Sequence, residues 1–396
     1  MNDFRPVLRF VAMSDVHVKP EKDCPELERL DKAMKYAYAY ADSQPYDRLD
    51  AVYIVGDFAN AGQIVEMENF KEVLYKNLRV CTQAVPSVAS HEFRVGEQQA
   101  KQQLRDLFGV EPEDHRVING FHFISVSSTN GCNFEEPQLS FARKALAEAA
   151  ADDPRRPIFF FQHPHISDTV YGSINWGDDA LYPVLMNYPQ VIDFSGHSHA
   201  PVNDPRSVHQ RYFTSHGCGS LSYFELDEFD KYYGTVPPDC DACAQFLIVE
   251  ADEAGRVRIL PFDVLTRQFF PCARQIEAPW EPERFIYTDR RALDAPKPYF
   301  PADARVTALR GENGLTVTFT QAKEDRDGVD YYIVRLRDER GVIVRQMSLW
   351  SGYYLFTAPE TLTLEIPDLP EGDYNGSVTP VGFWDNAGEP LRFTVE

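Results

Sequence analysis

Leu8-Arg9-Phe10-Val11-Ala12-Met13 runs directly into Ser14-Asp15-Val16-His17, so a short, mostly apolar stretch of strand type ends on an acid and an imidazole two residues apart. Four later clusters follow the same plan: Gly56-Asp57-Phe58-Ala59-Asn60, Ser90-His91-Glu92, Gln162-His163-Pro164-His165 and Gly196-His197-Ser198-His199. Apolar runs at 51–55, 84–89, 158–161 and 191–195 precede them, and another lies at 121–126. Such runs suit strands buried on both faces. Polar groups at the ends of such strands converge at one edge of a sheet, where open α/β folds carry out their chemistry.

Helical stretches alternate with these runs. From Pro25 to about Ala41, Leu27, Leu30, Met34 and Tyr38 recur at helical spacing, and Pro25 suits a first helical turn. Further helices are expected from Glu66 to about Leu78, from Gln138 to about Ala150, and around Ala180 to Met186. Strand and helix in alternation predict a layered α/β domain over residues 1–275.

After about residue 275 the pattern changes. Pro279, Pro282, Pro296, Pro298 and Pro301 punctuate a segment without helical period, read as a Pro-rich linker over 276–301. Beyond it Leu315, Val317 and Phe319 alternate with threonines, and Leu362, Leu364 and Ile366 alternate likewise. Turn signals at Glu312-Asn313-Gly314 and Asn386-Ala387-Gly388 separate such strands. Residues 302–396 therefore read as a small all-β sandwich. Its segment Leu369-Pro370-Glu371-Gly372-Asp373-Tyr374 resembles the tyrosine corner of immunoglobulin-like and fibronectin type III domains.

At 396 residues the chain exceeds one ordinary hydrophobic core, so two domains are expected. With 61 acidic and 39 basic side chains the net charge is -22, which opposes binding to nucleic acid phosphates and to anionic membranes. No stretch has the length of a membrane span. The chain reads as soluble and cytoplasmic, without a signal peptide. Seven cysteines make no disulfide framework, and Cys240-Asp241-Ala242-Cys243 lacks the two further ligands of a zinc site.

Acids and imidazoles in this pattern suit two divalent cations about 3.5–4 Å apart, which need a bridging carboxylate and several neutral imidazoles. Asp57, after the tight turn at Gly56, suits the bridge. Asp15 with His17, and His197 with His199, can each face one ion from a strand end. Oxygen and nitrogen donors fit Mn, Fe, Zn or Co and exclude a soft thiolate site.

The five motifs, in order, resemble those of the calcineurin-like metallophosphoesterase family over roughly residues 6–270: Asp15-Val16-His17, Gly56-Asp57, Ser90-His91-Glu92, His163 and Gly196-His197-Ser198-His199. The fold implied is a layered β-sandwich flanked by helices. By that resemblance Asp15, His17, Asp57 and His199 hold one ion, and Asp57, His163 and His197 the other. His91 stabilises the transition state or protonates the leaving oxygen. A metal-bridging hydroxide then hydrolyses a small phosphomonoester or phosphodiester without a Cys or Ser nucleophile. In its first motif, in Gln162-His163-Pro164 and in Thr169-Val170-Tyr171-Gly172 the chain is most similar to bacterial, cyclic-nucleotide phosphodiesterase-like members.

One departure stands out. Ser90 occupies the place of the family's asparagine, and a serine hydroxyl is a shorter, poorer neutral donor than an amide oxygen, so the second ion is the less secure one. Hence a competing reading is a degenerate, non-catalytic metal-binding module, with the C-terminal sandwich as a surface for a protein partner. A metal-dependent nuclease is a third, against which the charge counts. His165 and His216 lie near motifs and are candidate substrate contacts, or equally supports behind the ligands, whereas His115, His122 and His209 read as ordinary packed or exposed polar residues.

Overall fold

A computed structural model of the chain describes residues 4–229, 233–242, 244–311 and 314–395. Glu312, Asn313 and Cys243, which carry one turn signal and half of the cysteine pair, lie outside the described residues. Two compact units divide the chain, Met1–Thr288 and Asp289–Glu396.

The first unit is built around two large sheets. In one, the strand Pro6–Met13 runs parallel to Ala51–Ile54, which runs parallel to Gln83–Pro86. On its other side Pro6–Met13 pairs antiparallel with Gln245–Asp252, and that strand with Val257–Asp263. The other sheet has the order Val208–Gln210, Thr214–Gly217, Val191–Ser195, Ile158–Phe161, Phe121–Val126, Glu113–Ile118, with its four central strands parallel. Aromatic rings join the sheets. Phe10 meets Phe123, Phe159, Phe161 and Phe194 edge-on, with centroids 4.7 to 5.9 Å apart, and Tyr53 stacks on Phe161 at 4.0 Å. Fully burying each such ring contributes about 1.5–3 kcal/mol, and edge-to-face geometry adds to it.

Helices cover the outer faces. Pro25–Asp42 buries Leu27, Leu30, Met34 and Tyr38, as its spacing requires, and sends Tyr36 against Phe262 and the Tyr40 hydroxyl to Glu250 of the first sheet. Glu136–Asp152 packs Ala142, Ala145, Leu146 and Ala149 on Ile124, Ile158 and Phe160 of the second. Arg9, which interrupts the first apolar run, is fully buried and sustained by Glu250 at 2.8 Å, since a buried cation persists only when paired.

Three elements differ from expectation. The run 84–89 leaves the sheet after Pro86, and the helix around 180–186 is a single turn, Tyr182–Leu185. A helix at Glu97–Phe108 was not anticipated: only Ala100, Leu104 and Phe108 are buried in it. Glu113–Ile118 pairs with Phe121–Val126 through Asn119-Gly120, both at positive φ (51° and 79°), which is the two-residue hairpin signal in plain form.

Apart from the helical turn Arg290–Leu293, the regular structure of the second unit is β. Val306–Gly311, Gly314–Thr320 and Thr361–Pro367 form one sheet, and Ile343–Trp350, Val329–Arg337, Tyr374–Gly382 and Leu391–Val395 the other. Leu315, Val317, Phe319, Tyr332, Val334 and Val378 close its core. The Tyr374 hydroxyl donates to the Pro370 carbonyl at 2.9 Å, the bond a tyrosine corner makes. Among the described residues no helix is long and apolar enough to cross a membrane.

Candidate metal centre

Asp15 and His17 follow the strand Pro6–Met13, Asp57 follows Ala51–Ile54, His163 follows Ile158–Phe161, and His197 and His199 follow Val191–Ser195. The chain must turn sharply at each of these strand ends. Asp15, His17, Asp57, His197 and His199 all adopt positive φ, between 49° and 72°, a region that side chains with a Cβ rarely enter. Five of the twelve such non-glycine residues among those described thus sit in one place, the clustering expected where strain is kept for function. Glycines allow the close approach: a Cβ on Gly56 would stand 2.7 Å from His163 Nδ1, and one on Gly196 1.9 Å from Ser14 Oγ.

The side chains meet in three overlapping groups whose donor atoms lie within 4.8 Å of one another: Asp15, His17 and His199; His17, Asp57 and His91; Asp57, His163 and His197. His17 Nε2 and His199 Nε2 face each other at 3.0 Å, His199 Nε2 stands 3.2 Å from Asp15 Oδ1, and His163 Nε2 3.0 Å from Asp57 Oδ2. Donors bound to one ion at about 2.0–2.1 Å are separated by roughly 3 Å, so these spacings are those of a coordination shell.

Hydrogen bonds behind the imidazoles fix which nitrogen points inward. His163 Nδ1 lies 2.7 Å from the Val55 carbonyl and His199 Nδ1 3.0 Å from the Tyr223 carbonyl. A carbonyl only accepts, so each Nδ1 carries a proton, and Nε2 is the nitrogen left facing the acids, where its lone pair goes to a metal that displaces any proton there. Asp15 Oδ1 and His163 Nε2 are buried without a hydrogen-bond partner, a costly state unless a cation takes them up. The donor set fits divalent metal.

Electrostatics agree. Burial opposes charge on both carboxylates, yet His199 and His163 hold Asp15 well below the usual carboxylate range, and His163 holds Asp57 low as well. Burial likewise opposes charge on His163, but Asp57 and Asp15 outweigh it and push the ring up to about 10. His197, where burial dominates, is pushed down to about 4. Such negative potential in a closed site favours a cation.

Ser90 and His91 adjoin the centre through Asp57. Ser90 Oγ donates to Asp57 Oδ2 at 2.7 Å, and the His91 backbone N–H to Asp57 Oδ1 at 2.8 Å. His165 and His216 belong to none of the three groups. The His165 ring is fully occupied, with Ser195 Oγ 2.7 Å from Nδ1 and Ser198 Oγ 2.6 Å from Nε2, and His216 is buried with Nδ1 2.8 Å from the Gly217 carbonyl. Burial pushes both down to about 3; they are neutral internal rings, both fully buried. His115 and His122 pair with each other at 2.8 Å.

Spacing alone did not single out several neighbours. Glu92 is buried and accepts backbone N–H bonds from Asp57 (3.1 Å), Ala59 (2.8 Å) and Ala89 (2.9 Å); its place in the third motif was the available signal. Arg94 Nη2 lies 3.0 Å from His91 Nε2. Trp176 meets the His197 ring edge-on at 4.9 Å, Tyr223 lies 4.4 Å from the His199 ring, and Cys132 Sγ is 3.7 Å from His197 Nε2. Tyr223 and Cys132 come from loops, and Glu92, Arg94 and Trp176 from single helical turns, too short to leave a periodic mark in the sequence.

Residues 8–201 match the family model of the calcineurin-like phosphoesterases. Among solved structures, the chain is similar to a purple acid phosphatase from yellow lupin (Lupinus luteus) seeds, at 16% identity over 68% of this chain and 53% of that one, with a TM-score of 0.50. The chain thus spans about half the length of that enzyme. It is also aligned with the sulfate thiohydrolase SoxB of Thermus thermophilus, at 13% identity over 67% of this chain and 59% of that one, with a TM-score of 0.38. No curated protein matches the chain. The likeness in fold to the lupin enzyme and the match over residues 8–201 together give this chain a metallophosphoesterase fold, in which residues 8–201 are similar to the calcineurin-like phosphoesterases.

Proposed function

We propose that the chain is a metal-dependent hydrolase of small phosphoesters, acting on a phosphomonoester or phosphodiester with two divalent transition ions, Mn, Fe, Zn or Co. The observation that carries this reading is Asp57: its buried carboxylate belongs to two of the three donor groups, as a carboxylate shared by adjacent cations must. In this reading Asp15, His17, Asp57 and His199 hold one ion, and Asp57, His163 and His197 the other. When bound, such ions supply Lewis acidity and a nucleophile at neutral pH. The chain's own groups do the rest. Glu92 ties the Asp57 turn to the Ser90 loop, Ser90 orients one Asp57 oxygen by its hydroxyl, and His91 stands beside His17 with ring centroids 4.3 Å apart, where a phosphoryl group held at the centre would meet it. The sheet arrangement of three and four strands and the Tyr374 corner support a fibronectin type III-like second domain, a candidate surface for a protein partner.

Metal analysis after growth with Mn and Fe, together with turnover of p-nitrophenyl phosphate and bis(p-nitrophenyl) phosphate, tests the proposal. The parent should carry one to two ions per chain, and Asp57→Asn should lose metal and turnover together. A metal-replete parent inert to a broad phosphoester panel would leave the non-catalytic module as the better reading. A folded parent that takes up no metal refutes both.

A further inference from the structure

Arg94 stands beside His91 at the edge of the centre. Acids outnumber bases by 61 to 39, and arginines such as Arg79, Arg116 and Arg206 pair with carboxylates. Arg94 is exposed, yet it pairs with no carboxylate among the described residues. Its guanidinium spends its hydrogen bonds on neutral acceptors, the Asn60 carbonyl at 3.2 Å and His91 Nε2 at 3.0 Å.

That second contact fixes the state of His91. Arginine has donors and no acceptor, so His91 Nε2 must be accepting. The ring proton then sits on Nδ1, which donates to the Asn60 carbonyl at 2.6 Å. With Arg94 in place, His91 offers the centre no proton from Nε2.

A free guanidinium at the mouth of a phosphoester centre has a stronger partner available. A charged phosphoryl oxygen binds it roughly twice as well as a neutral ring nitrogen does, and its planar fork matches phosphate geometry. The two substrate classes differ in what they can offer. A diester has two terminal oxygens and one negative charge, whereas a monoester dianion has three and about two. Two cations side by side can engage two terminal oxygens, which leaves a third, charged one only on the monoester.

We infer that Arg94 is a substrate-binding residue that leaves His91 Nε2 to grip the third terminal oxygen of a phosphomonoester, and so makes the centre selective for monoesters over diesters. The inference rests on the phosphoesterase reading above and narrows its substrate class. Movement of Arg94 onto substrate also frees His91 Nε2 to take a proton from water and so to donate toward the phosphoryl group. The side chain has room to move, because it is exposed and rises from a short 3-10 turn, Glu92–Val95, that ends at Gly96 with φ 103°.

The test uses the metal-loaded full chain, with Arg94→Ala and Arg94→Lys beside the parent. Inorganic phosphate binding by calorimetry is one readout, and kcat/KM for p-nitrophenyl phosphate against bis(p-nitrophenyl) phosphate is the other. Arg94→Ala should weaken phosphate binding by roughly 10–100-fold, the worth of one charged hydrogen bond. It should lower the monoester-to-diester ratio by a similar factor, mostly through KM, and Arg94→Lys should recover part of both. Equal losses on the two substrates, or unchanged phosphate affinity in a metal-replete Arg94→Ala protein, overturn the role of Arg94 and leave the phosphoesterase reading standing. A parent that takes up no metal overturns that reading, and the clamp with it.

Discussion

Glu92 offers the sharpest test of how the centre is held. Its carboxylate accepts three buried backbone N–H groups, Asp57 and Ala89 on Oε2 and Ala59 on Oε1. One side chain thereby fastens the turn that carries Asp57 to the loop that carries Ser90 and His91. Glu92→Gln keeps shape and volume but can present only one accepting oxygen. With that oxygen in the Oε2 position, two bonds survive and the Ala59 N–H faces an amide that only donates. One orphaned buried donor costs about 1–3 kcal/mol. Glu92→Ala orphans all three, about 3–9 kcal/mol, which approaches the whole stability of a domain at ~5–15 kcal/mol. The conservative variant is therefore the informative one. Burial, and after it the charge of Asp57, push this carboxyl up to about 8 against the N–H bonds from Ala59 and Ala89; in its protonated state the amide resembles it and the cost falls toward the lower figure. Urea midpoints of parent and variant measure the stability change, and competition with a chelator measures metal affinity, expected to drop roughly 10–100-fold when a group that orients a ligand is lost. If Glu92→Gln matches the parent in both, Glu92 is not a brace and the account of the Asp57 turn is wrong.

Ser90→Asn should tighten one ion and raise turnover at limiting Mn, since an amide oxygen reaches further than the hydroxyl now 2.7 Å from Asp57 Oδ2; identical Mn titrations for parent and variant would show that Ser90 is not limiting. Asp193 is fully buried with a 3.3 Å bond from Gln162, and burial pushes its carboxyl up to about 7. Its unfolded value is near 3.9, so the folded chain binds the extra proton between those values, and the stability it provides below about pH 4 is lost as pH rises through 7. Asp193→Asn should thus be more stable than the parent at pH 8, by up to on the order of 4 kcal/mol, and equal to it near pH 4; a difference independent of pH would refute the assignment. Tyr374→Phe removes the bond to the Pro370 carbonyl and should destabilise the second unit by about 0.5–1.5 kcal/mol, read in calorimetry, while metal content stays that of the parent.

Much of the architecture was legible because it rests on periodicity. Leu27, Leu30, Met34 and Tyr38 recur at the helical interval and are buried where that interval puts them. Leu315, Val317 and Phe319 alternate with threonines and point into the second core. The helix Glu97–Phe108 was hidden because three buried residues in twelve make a narrow stripe within a polar run. Strand order was hidden for another reason. Gln245–Asp252 lies beside Pro6–Met13, and nothing in either segment marks the other as its partner. His165 misled because proximity in sequence to His163 says nothing of direction: across Pro164 the chain turns that ring inward, onto Ser195 and Ser198.

The candidate donors of the centre are legible in residue type and order, but their arrangement depends on backbone that no residue pattern announces. Five of them hold a left-handed conformation, each at a cost on the order of 1–3 kcal/mol. Together that is about as much as a whole domain's stability, so the donors cannot hold themselves in place. The offset comes from the strands that end there. Phe10 lies five residues before Asp15, Phe161 two before His163 and Phe194 three before His197, and these three rings pack on one another between the sheets. Each strand is thereby clamped just before its chain must bend. The same core explains why Asp15 Oδ1 and His163 Nε2 stay buried away from water, since relaxation that would hydrate them would have to pull those rings apart. The aromatic sandwich is thus part of the site's chemistry: it holds acids and imidazoles close together in a dry place, where a cation is the group that best resolves their mutual charge.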